Sequence, residues 1–398
     1  MKIIVLLGDG MSDEPCADLD GKTPLQAAYT PNMDKMAQEG LVGLASTVPD
    51  GMPPGSDVAN LSVFGYDPRT CYTGRSPLEA ISMGVQLGPH DVAFRMNLVT
   101  LTPHNAKIYM EDFSAGHIGS EESHQLIATL QAELGDDRFE FHPGVGYRHL
   151  LVWRNGKDSM TATPPHDISG KQVRDFLPKG DGADELINLM NSSQMVLHNH
   201  PVNKLREERE QLPATSIWLW GHGKSPVLQP YQEKFGLSGA VISAVDLMKG
   251  IGISAGLEVI NVPGATGYID TNYKGKAEAA LSALENLDFV YLHVEAPDEA
   301  SHSGNLQHKI KAIEDFDRLV VGTVLAGASN FDDLRILCCP DHPTPVARMT
   351  HTSDAVPFII YRNGNSSANG ATSYDEVQAK GTGLLVEEGY RLMEMLLS

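Results

Sequence analysis

The sequence predicts an α/β protein in which a doubly wound sheet domain is interrupted by a smaller α+β domain. Three apolar runs each end at an aspartate: IIVLLGD at Asp9, FVYLHVEAPD at Asp298 and LRILCCPD at Asp341. Continuous apolar runs are typical of buried parallel strands, and open α/β sheets place their functional groups beyond the carboxyl ends of such strands. Between the first run and the other two, strand-like pieces follow one another at hairpin spacing, which indicates α+β structure.

The two ends of the chain supply the elements of the sheet domain. After the first strand, KIIVLL, a helix is predicted near residues 32–40, and GLVGLASTV follows as a strand. A Pro/Gly-rich loop and the short helix SPLEAISMG come next. Strands and helices alternate in the C-terminal half, where the predicted elements are GAVISAV, DLMKGIGISAGL, LEVINV, KGKAEAALSALENL, DFVYLHVEA, HKIKAIEDFDRLVVGTVLAGA, LRILCCPD and AVPFIIYRN.

The middle of the chain has a different pattern. Its strand-like pieces are VAFRMNLVTL, AKIYMED, RFEFHPGVG and YRHLLVWR, and its amphipathic helices are EESHQLIATLQAEL and GADELINLMNSSQMVL. Strands that follow one another without intervening helices predict an inserted α+β domain of residues 92–214. The sheet domain is then discontinuous, and residues 1–91 and 215–398 form it.

Composition narrows the class of partner. The 398 residues carry a formal net charge of −21, which argues against nucleic acid or an anionic membrane as the main partner. No window approaches the run of about 18 apolar residues that a membrane span needs, and the N-terminus lacks the basic segment of a signal peptide. The cysteines have no C-x-x-C spacing, which predicts buried reduced thiols in a cytoplasmic protein; they are Cys16, Cys71, Cys338 and Cys339.

Histidines accompany the aspartates at the predicted strand ends. One follows an aspartate at i, i+4, where a helical turn would place both side chains on one face, and another directly follows an aspartate. These groups predict a two-metal site, and the candidate ligands are Asp9, Asp298, His302, Asp341, His342 and His351. Mixed oxygen and nitrogen ligands suit Mn²⁺ or Zn²⁺ better than Ca²⁺, and Mg²⁺ is a further candidate. Any one of these residues alone is more often a helix cap, a loop residue or an ordinary histidine.

A candidate nucleophile lies in the loop PPGSDVAN, where Ser56 precedes a predicted helix. A two-metal site commonly binds a phosphoryl oxygen and activates a nucleophile, and a helix N-terminus favours an anion beside it. The alternative is that Ser56 caps the helix and that Gly55 is an ordinary loop glycine. On spacing alone, capping is the more common role.

Longer motifs resemble one known family. GDGM (8–11), PPGSDVANLS (53–62), APDEASHSG (296–304) and PDH (340–342), with His351, are similar to motifs of cofactor-independent phosphoglycerate mutase, in the short, archaeal-type branch within the alkaline phosphatase superfamily. The resemblance extends over most of the chain through TPNMDKMAQEG, YTGRSPLEA, GYRHLLVW and GATGYIDTNY. It implies an alkaline-phosphatase-like core and a glycolytic and gluconeogenic enzyme that interconverts 3-phosphoglycerate and 2-phosphoglycerate without bisphosphoglycerate.

The resemblance also implies roles for individual residues. One divalent metal ion would be held by Asp298, His302 and His351, and the other by Asp9, Asp341, His342 and Ser56. Manganese is the first choice for both ions. Ser56 would be phosphorylated transiently. The inserted domain would act as a lid that binds the small phosphorylated substrate, and its candidate contacts are His117, Arg148, His149, His166, Asp167, Asn203, Arg206 and Lys224. The arginine-rich insertion of the longer bacterial-type mutases does not map cleanly here, so about half of these residues are expected to be surface cations or caps.

Other activities stay open or are disfavoured. A homoserine kinase-like phosphotransferase of the same branch would have the same metal core, and a metal-dependent phosphomonoesterase would form the same phosphoserine. GHGKS (221–225) is not a P-loop, because Trp218 stands where that motif needs a glycine. CYTGR (71–75) has threonine where a sulfatase needs proline. A non-catalytic scaffold protein would be expected to lose ligands, and none is missing.

Overall fold

The computed structural model describes residues 1–364 and 366–398. The chain forms two compact units, of which the first is Met1–Tyr72 with Val227–Ser398 and the second is Thr73–Pro226. Among the described residues, no helix combines the length and the apolar character that a membrane span requires. The four cysteines are free thiols, and Cys16 is half-buried rather than buried as predicted.

The strands in chain order are β1 (Lys2–Gly8), β2 (Leu41–Ala45), β3 (Val92–His104), β4 (Lys107–Asp112), β5 (Phe139–Val145), β6 (Arg148–Trp153), β7 (Met160–Thr161), β8 (Lys179–Gly180), β9 (Ser216–Lys224), β10 (Gly239–Ile242), β11 (Glu258–Val259), β12 (Phe289–Val294), β13 (Leu334–Cys339), β14 (Val356–Arg362) and β15 (Leu385–Val386). The predicted strand LEVINV is reduced to the short β11, and β15 had no clear signal in the sequence.

The α-helices are α1 (Pro24–Ala27), α2 (Pro31–Glu39), α3 (Ser56–Val63), α4 (Pro68–Cys71), α5 (Ser76–Ser82), α6 (Ser120–Leu134), α7 (Ala183–His198), α8 (Pro201–Glu208), α9 (Tyr231–Lys234), α10 (Asp246–Ser254), α11 (Tyr273–Leu284), α12 (Ala296–His302), α13 (Leu306–Asp315), α14 (Gly322–Gly327), α15 (Glu376–Gly381) and α16 (Leu392–Leu397). One long helix was expected from HKIKAIEDFDRLVVGTVLAGA, but a π-helical segment separates α13 from α14. Asp317 in this segment accepts the main-chain N–H of Met33 at 2.7 Å, and so binds the start of α2.

An eight-stranded sheet forms the centre of the first unit, in the order β11-β10-β12-β1-β13-β14-β2-β15. Its middle strand, β1, is parallel to β12 on one side and β13 on the other, with Leu7 opposite both His293 and Cys339. All but the first residue of β1 are buried, because helices cover both faces of the sheet. Parallel strands in register end together, so the segments that follow β1, β12 and β13 emerge at one edge. β14 is antiparallel to both of its neighbours, so the sheet is mixed.

The second unit contains an antiparallel sheet built around β3, which pairs with β4, β6 and β9, while β5 pairs with β6. Helices α6 and α7 pack on it over an apolar core that includes Phe94, Leu151 and Leu219. The sequence placed residues 73–91 and 215–226 in the sheet domain, whereas the structure groups them with the second unit. The reason is local pairing: β9 is hydrogen-bonded to β3 along its length, and the α5 residue Ser76 binds both strands.

Candidate metal centre and active site

Three neighbouring strands deliver the acidic side chains that the sequence singled out. Asp9 directly follows β1, Asp298 lies in the first turn of α12 just beyond β12, and Asp341 follows β13. All three carboxylates are buried in the first unit. Their convergence follows from the parallel register of the three strands, as the sequence predicted.

The first group of candidate ligands comprises Asp298, His302 and His351. The His302 Nε2 atom lies 3.2 Å from Asp298 Oδ2 and 2.8 Å from His351 Nε2, and the latter atom lies 3.5 Å from Asp298 Oδ1. Each imidazole uses Nδ1 to donate to a main-chain carbonyl, that of Met349 for His302 at 3.0 Å and that of Pro54 for His351 at 2.8 Å. Two Nε2 atoms therefore face each other and a carboxylate, which is an arrangement that a shared cation satisfies.

The second group comprises Asp9, Asp341, His342 and Ser56. The His342 Nε2 atom lies 3.1 Å from Ser56 Oγ, 3.3 Å from Asp341 Oδ2 and 3.7 Å from Asp9 Oδ1. Among the described residues, none donates a hydrogen bond to the buried Asp9 Oδ1. Because an unsatisfied buried carboxylate oxygen is costly, this atom is a candidate metal ligand.

Thr344 determines which nitrogen of His342 carries the proton. Its Oγ1 donates its only hydrogen to Asp298 Oδ1 at 2.6 Å, so the 3.2 Å contact with His342 Nδ1 must be a hydrogen bond that the hydroxyl accepts. His342 Nδ1 then carries the hydrogen, and neutral His342 presents the lone pair of Nε2 to Ser56, Asp9 and Asp341. A metal-binding imidazole requires this tautomer.

Burial and crowding shift the acid–base equilibria of the centre. Burial, followed by the charges of Asp341, Glu295 and Asp298, raises the pKa of Asp9 well above its usual value. Burial also acts to raise the pKa of Asp298, yet hydrogen bonds from His302 and His351 hold it well below the usual range.

The pKa values of His302 and His342 are shifted in opposite directions. The hydrogen bond to Asp298 outweighs burial and raises the pKa of His302 to about 9. Burial lowers the pKa of His342, although nearby carboxylates oppose the change. With its pKa raised to about 9, His302 would be protonated at neutral pH in the absence of metal, and a bound metal ion would displace that proton.

Ser56 is the first residue of α3, and Gly55 takes the capping position. The serine hydroxyl is therefore not the N-cap, so that alternative from the sequence is wrong. The hydroxyl is nearly buried and faces His342 Nε2. One turn later, Asn60 donates to the main-chain oxygen of Ser56 at 2.8 Å and to Asp341 Oδ2 at 2.7 Å, and so holds both in place.

Two further polar residues of the centre were missed in the sequence. His293, within β12, approaches Asp9 Oδ2 at 2.8 Å and Glu295 Oε2 at 3.4 Å through its Nε2 atom. Burial, and then the charge of Asp298, raises the pKa of Glu295 to about 8. Both residues stand in the letters FVYLHVEAPD that led to Asp298, but a histidine inside an apolar run is usually a core residue. The available signal was therefore weak.

The second unit contains all eight predicted substrate contacts, and several of them have structural partners. Asn203 is buried, donates to the main-chain oxygens of Leu197 and Ala214, and accepts from the N–H of Ala214. Arg206 is buried against Glu122 and the carbonyls of Leu212 and Ala115. These contacts account for both side chains as parts of the framework, because they satisfy main-chain groups at the ends of helices and strands.

The other predicted contacts differ in how accessible they are. His149 is buried, with Nδ1 accepting from the N–H of Gly144, and burial lowers its pKa to about 3, so it is a neutral core residue. Lys224 lies 3.0 Å from Asp158. The remaining four are exposed, and they are His117, Arg148, His166 and Asp167. The first three contact an aromatic wall of Phe113, Tyr147 and Trp220, and Asp167 lies 3.6 Å from His166.

An arginine cluster of Arg75, Arg95 and Arg148 lies beside this wall, and the first two were not identified from the sequence. Glu79 Oε1 accepts from Arg75 Nε at 2.8 Å, and Glu79 Oε2 lies 3.4 Å from Arg95 Nε. The guanidinium of Arg95 is nearly buried and lies 4.5 Å from the centre of the Trp220 ring. Burial lowers the pKa of Arg95 to about 10, with Glu79 opposing and Arg75 and Arg148 adding to the effect. The charges of Arg95, Arg75 and Arg148 all act to lower the pKa of Glu79, against the effect of burial.

Comparison with known proteins identifies the family. A sequence model described as 2,3-bisphosphoglycerate-independent phosphoglycerate mutase matches residues 37–203. The chain is 64% identical over 397 residues to a probable 2,3-bisphosphoglycerate-independent phosphoglycerate mutase of Geobacter sulfurreducens, and covers 100% of both chains. It is 52% identical over 399 residues to the 2,3-bisphosphoglycerate-independent phosphoglycerate mutase of Methanosarcina acetivorans, again with 100% of both covered.

Solved structures agree with this assignment. The PH0037 protein from Pyrococcus horikoshii superposes with a TM-score of 0.85 at 29% identity, over 100% of this chain and 96% of that one. The cofactor-independent phosphoglycerate mutase from Thermoplasma acidophilum gives a TM-score of 0.67 at 28% identity, over 100% of this chain and 99% of that one. The predicted α/β fold class and the resemblance found in the sequence are therefore confirmed. The chain belongs to the family of 2,3-bisphosphoglycerate-independent phosphoglycerate mutases.

Proposed function

We propose that this protein interconverts 3-phosphoglycerate and 2-phosphoglycerate through a phosphoserine at Ser56, without bisphosphoglycerate. The observation that carries the proposal is the contact of Ser56 Oγ with His342 Nε2 at 3.1 Å, inside a buried set of carboxylates and imidazoles. The names of the relatives support this activity, since they are mutases along the full length of the chain. We further propose that the enzyme acts in the cytoplasm on this small phosphorylated acid, and that neither nucleic acid nor a membrane is its partner.

The residues of the centre fit two divalent metal ions. Asp298, His302 and His351 would hold one ion, and Asp9, Asp341, His342 and Ser56 would hold the other. Two observations support these assignments: Asp9 Oδ1 accepts no hydrogen bond from residues 1–364 and 366–398, and the Nε2 atoms of His302 and His351 face each other. When bound, two such ions lower the pKa of the serine hydroxyl and offset the charge of the phosphoryl group. Manganese suits the mixed oxygen and nitrogen ligands, with zinc and magnesium as alternatives.

The protein's own residues would then carry out two transfers. Ser56 Oγ forms a bond to phosphorus as the bond between phosphorus and the substrate oxygen breaks, and the serine proton ends on that leaving oxygen. In the second transfer the other hydroxyl of glycerate takes the phosphoryl group, and its proton returns to Ser56. Asn60 keeps the attacking serine and Asp341 in fixed relation through both transfers, because it donates to each of them.

The arginine cluster is proposed to bind the carboxylate of the substrate. Arg75, Arg95 and Arg148 place three guanidinium groups near Glu79, in a chain whose net charge is −21. A planar guanidinium is the preferred partner of a carboxylate, and the Trp220 ring restricts how Arg95 can turn. We therefore propose Arg75 and Arg95 as substrate contacts in place of Asn203 and Arg206, which were candidates in the sequence.

Phosphorus NMR tests the proposed activity against the kinase alternative. Metal-loaded protein is incubated with 3-phosphoglycerate alone and, in parallel, with ATP and homoserine. We expect 2-phosphoglycerate in the first sample and no nucleotide turnover in the second. Formation of ADP and phosphohomoserine, with no 2-phosphoglycerate, would refute the proposal. Release of inorganic phosphate as the main product would instead indicate a phosphomonoesterase.

A further inference from the structure

We propose that Lys309 is a positioning residue that holds the two ligand groups in register through Thr344. The inference rests on the proposed two-metal centre, and neither the family comparison nor the sequence motifs assign a role to this lysine. Lys309 lies on α13 and its side chain is fully buried. A buried ammonium is costly unless its hydrogen bonds are complete, so its partners indicate what it is for.

All three protons of the Lys309 ammonium have acceptors. Nζ donates to the main-chain oxygen of Ser12 at 3.2 Å, to Asp13 Oδ2 at 2.8 Å and to the main-chain oxygen of Thr344 at 2.9 Å. Ser12 and Asp13 belong to the segment that follows β1 and Asp9. Thr344 belongs to the segment that follows β13 and carries Asp341 and His342. One side chain therefore joins two ligand-bearing segments.

The helix that carries Lys309 adds a third segment. α13 follows α12, which supplies Asp298 and His302, after a short turn. The same loops are also linked without the lysine, because the N–H of Thr344 donates to the Ser12 oxygen at 3.1 Å and the N–H of Val346 donates to Asp13 Oδ2 at 3.1 Å. Asp13 thus accepts from Lys309 and from the β13 loop at once. The ammonium is the point at which all three segments meet.

Thr344 links Lys309 to the candidate ligands themselves. Its main-chain oxygen is fixed by Lys309, and its hydroxyl donates to Asp298 in the first group while accepting from His342 in the second. A shift of Thr344 would move one ligand of each group and release the tautomer of His342. Lys309 is therefore expected to control the affinity of the centre for its second ion and the distance between the two ions.

Mn²⁺ binding to the full-length protein tests the inference. Protein stripped with a chelator is titrated with Mn²⁺ by calorimetry, and electron paramagnetic resonance detects the spin coupling of a paired site. The variant is Lys309→Met combined with Asp13→Asn, so that the buried carboxylate of Asp13 is not left without its cationic partner. We expect its second ion to bind about 10- to 100-fold more weakly, with altered coupling. Arg335→Met is the control, because Arg335 is a buried cation that binds the carbonyl of Leu396 and lies outside these loops.

A second pair of variants keeps the test valid if the lysine variant fails to fold. Thr344→Val removes the hydroxyl and should also weaken the binding of the second Mn²⁺ ion. Thr344→Ser keeps the hydroxyl and should bind the second ion with the affinity of the wild type. Unchanged affinity and coupling in both Lys309→Met/Asp13→Asn and Thr344→Val would overturn the inference. If the wild-type protein itself binds no pair of Mn²⁺ ions, the proposed two-metal function fails, whatever the variants do.

Discussion

Replacing Asp9 by asparagine should stabilise the metal-free protein while it removes the activity. The Asp9 carboxylate is fully buried, and no residue in the described part of the chain donates a hydrogen bond to its Oδ1 atom. Burial and the neighbouring carboxylates raise its pKa well above the usual value, so the folded state resists its ionisation. In the variant, the asparagine oxygen can still accept from His293, and its NH₂ group can donate to the acceptors that face Asp9 Oδ1.

The size of the effect follows from the unsatisfied oxygen. A buried polar atom without a partner costs about 1–3 kcal/mol, and the asparagine relieves that cost. The pKa of Asp9 is raised in the folded state. Its contribution to the stability of the folded protein is therefore fully present below the pKa that Asp9 has in the unfolded chain, and it is lost as the pH rises through the pKa in the folded state. The advantage of the variant should therefore be absent in acid and grow as the pH rises toward neutrality.

Thermal melting in the presence of a chelator measures this advantage. For the metal-free proteins at neutral pH, the variant should melt several degrees above the wild type, since 1 kcal/mol corresponds to about 2–4 °C for a domain of this size. Added Mn²⁺ should raise the melting temperature of the wild type much more than that of the variant. The reasoning is refuted if the variant melts at or below the wild-type temperature at neutral pH and still gains the same stability from metal.

Three further predictions concern turnover and binding. Ser56→Ala should lower kcat at least about 10³-fold in a coupled assay, because the nucleophile is lost, while the melting temperature stays within a few degrees. Arg95→Met should raise KM for 3-phosphoglycerate about 10- to 100-fold, since a hydrogen bond to a charged group contributes about 1.5–3 kcal/mol. Mn²⁺ affinity should fall by up to about tenfold per pH unit below pH 9, because His302 holds a proton with a pKa raised to about 9 that the ion must displace.

Each of these three predictions can be contradicted by a specific result. Full turnover by Ser56→Ala would exclude the serine as nucleophile. The exposed Arg174, in the same unit, supplies Arg174→Gln as the matched control for Arg95, and equal changes in KM for both variants would exclude a specific carboxylate site. Proton uptake rather than release on Mn²⁺ binding at pH 8 would contradict the assignment of His302.

The convergence of the candidate ligands was predictable because it depends on a simple pattern. The apolar runs before Asp9, Asp298 and Asp341 identify buried parallel strands, and parallel strands in register end at one edge. The sequence did not show how each histidine is oriented. That depends on main-chain oxygens such as those of Pro54 and Met349, which approach His351 and His302 only after the chain has folded.

The second unit was predicted less well, for a different physical reason. A polar side chain that satisfies main-chain groups looks the same in a sequence as one that binds a ligand. Asn203 and Arg206 are of the first kind, and their partners lie in segments that no local pattern connects to them. Arg95 lies inside an apolar strand, where a single arginine gives no indication of a binding role. Its pairing with Glu79 is known only from the structure. The non-local pairing of β3 with β9 likewise moved the boundary of the unit.

Rapid quenching with 3-phosphoglycerate labelled in its phosphoryl group tests whether Ser56 carries the phosphoryl group between the two hydroxyls. The metal-loaded enzyme is mixed with the labelled substrate, stopped within one turnover and digested, and the labelled peptide is sequenced. We expect label on Ser56 that appears before 2-phosphoglycerate and decays as that product forms. Formation of labelled 2-phosphoglycerate with the label on another residue, or with no labelled protein at any time, would contradict it.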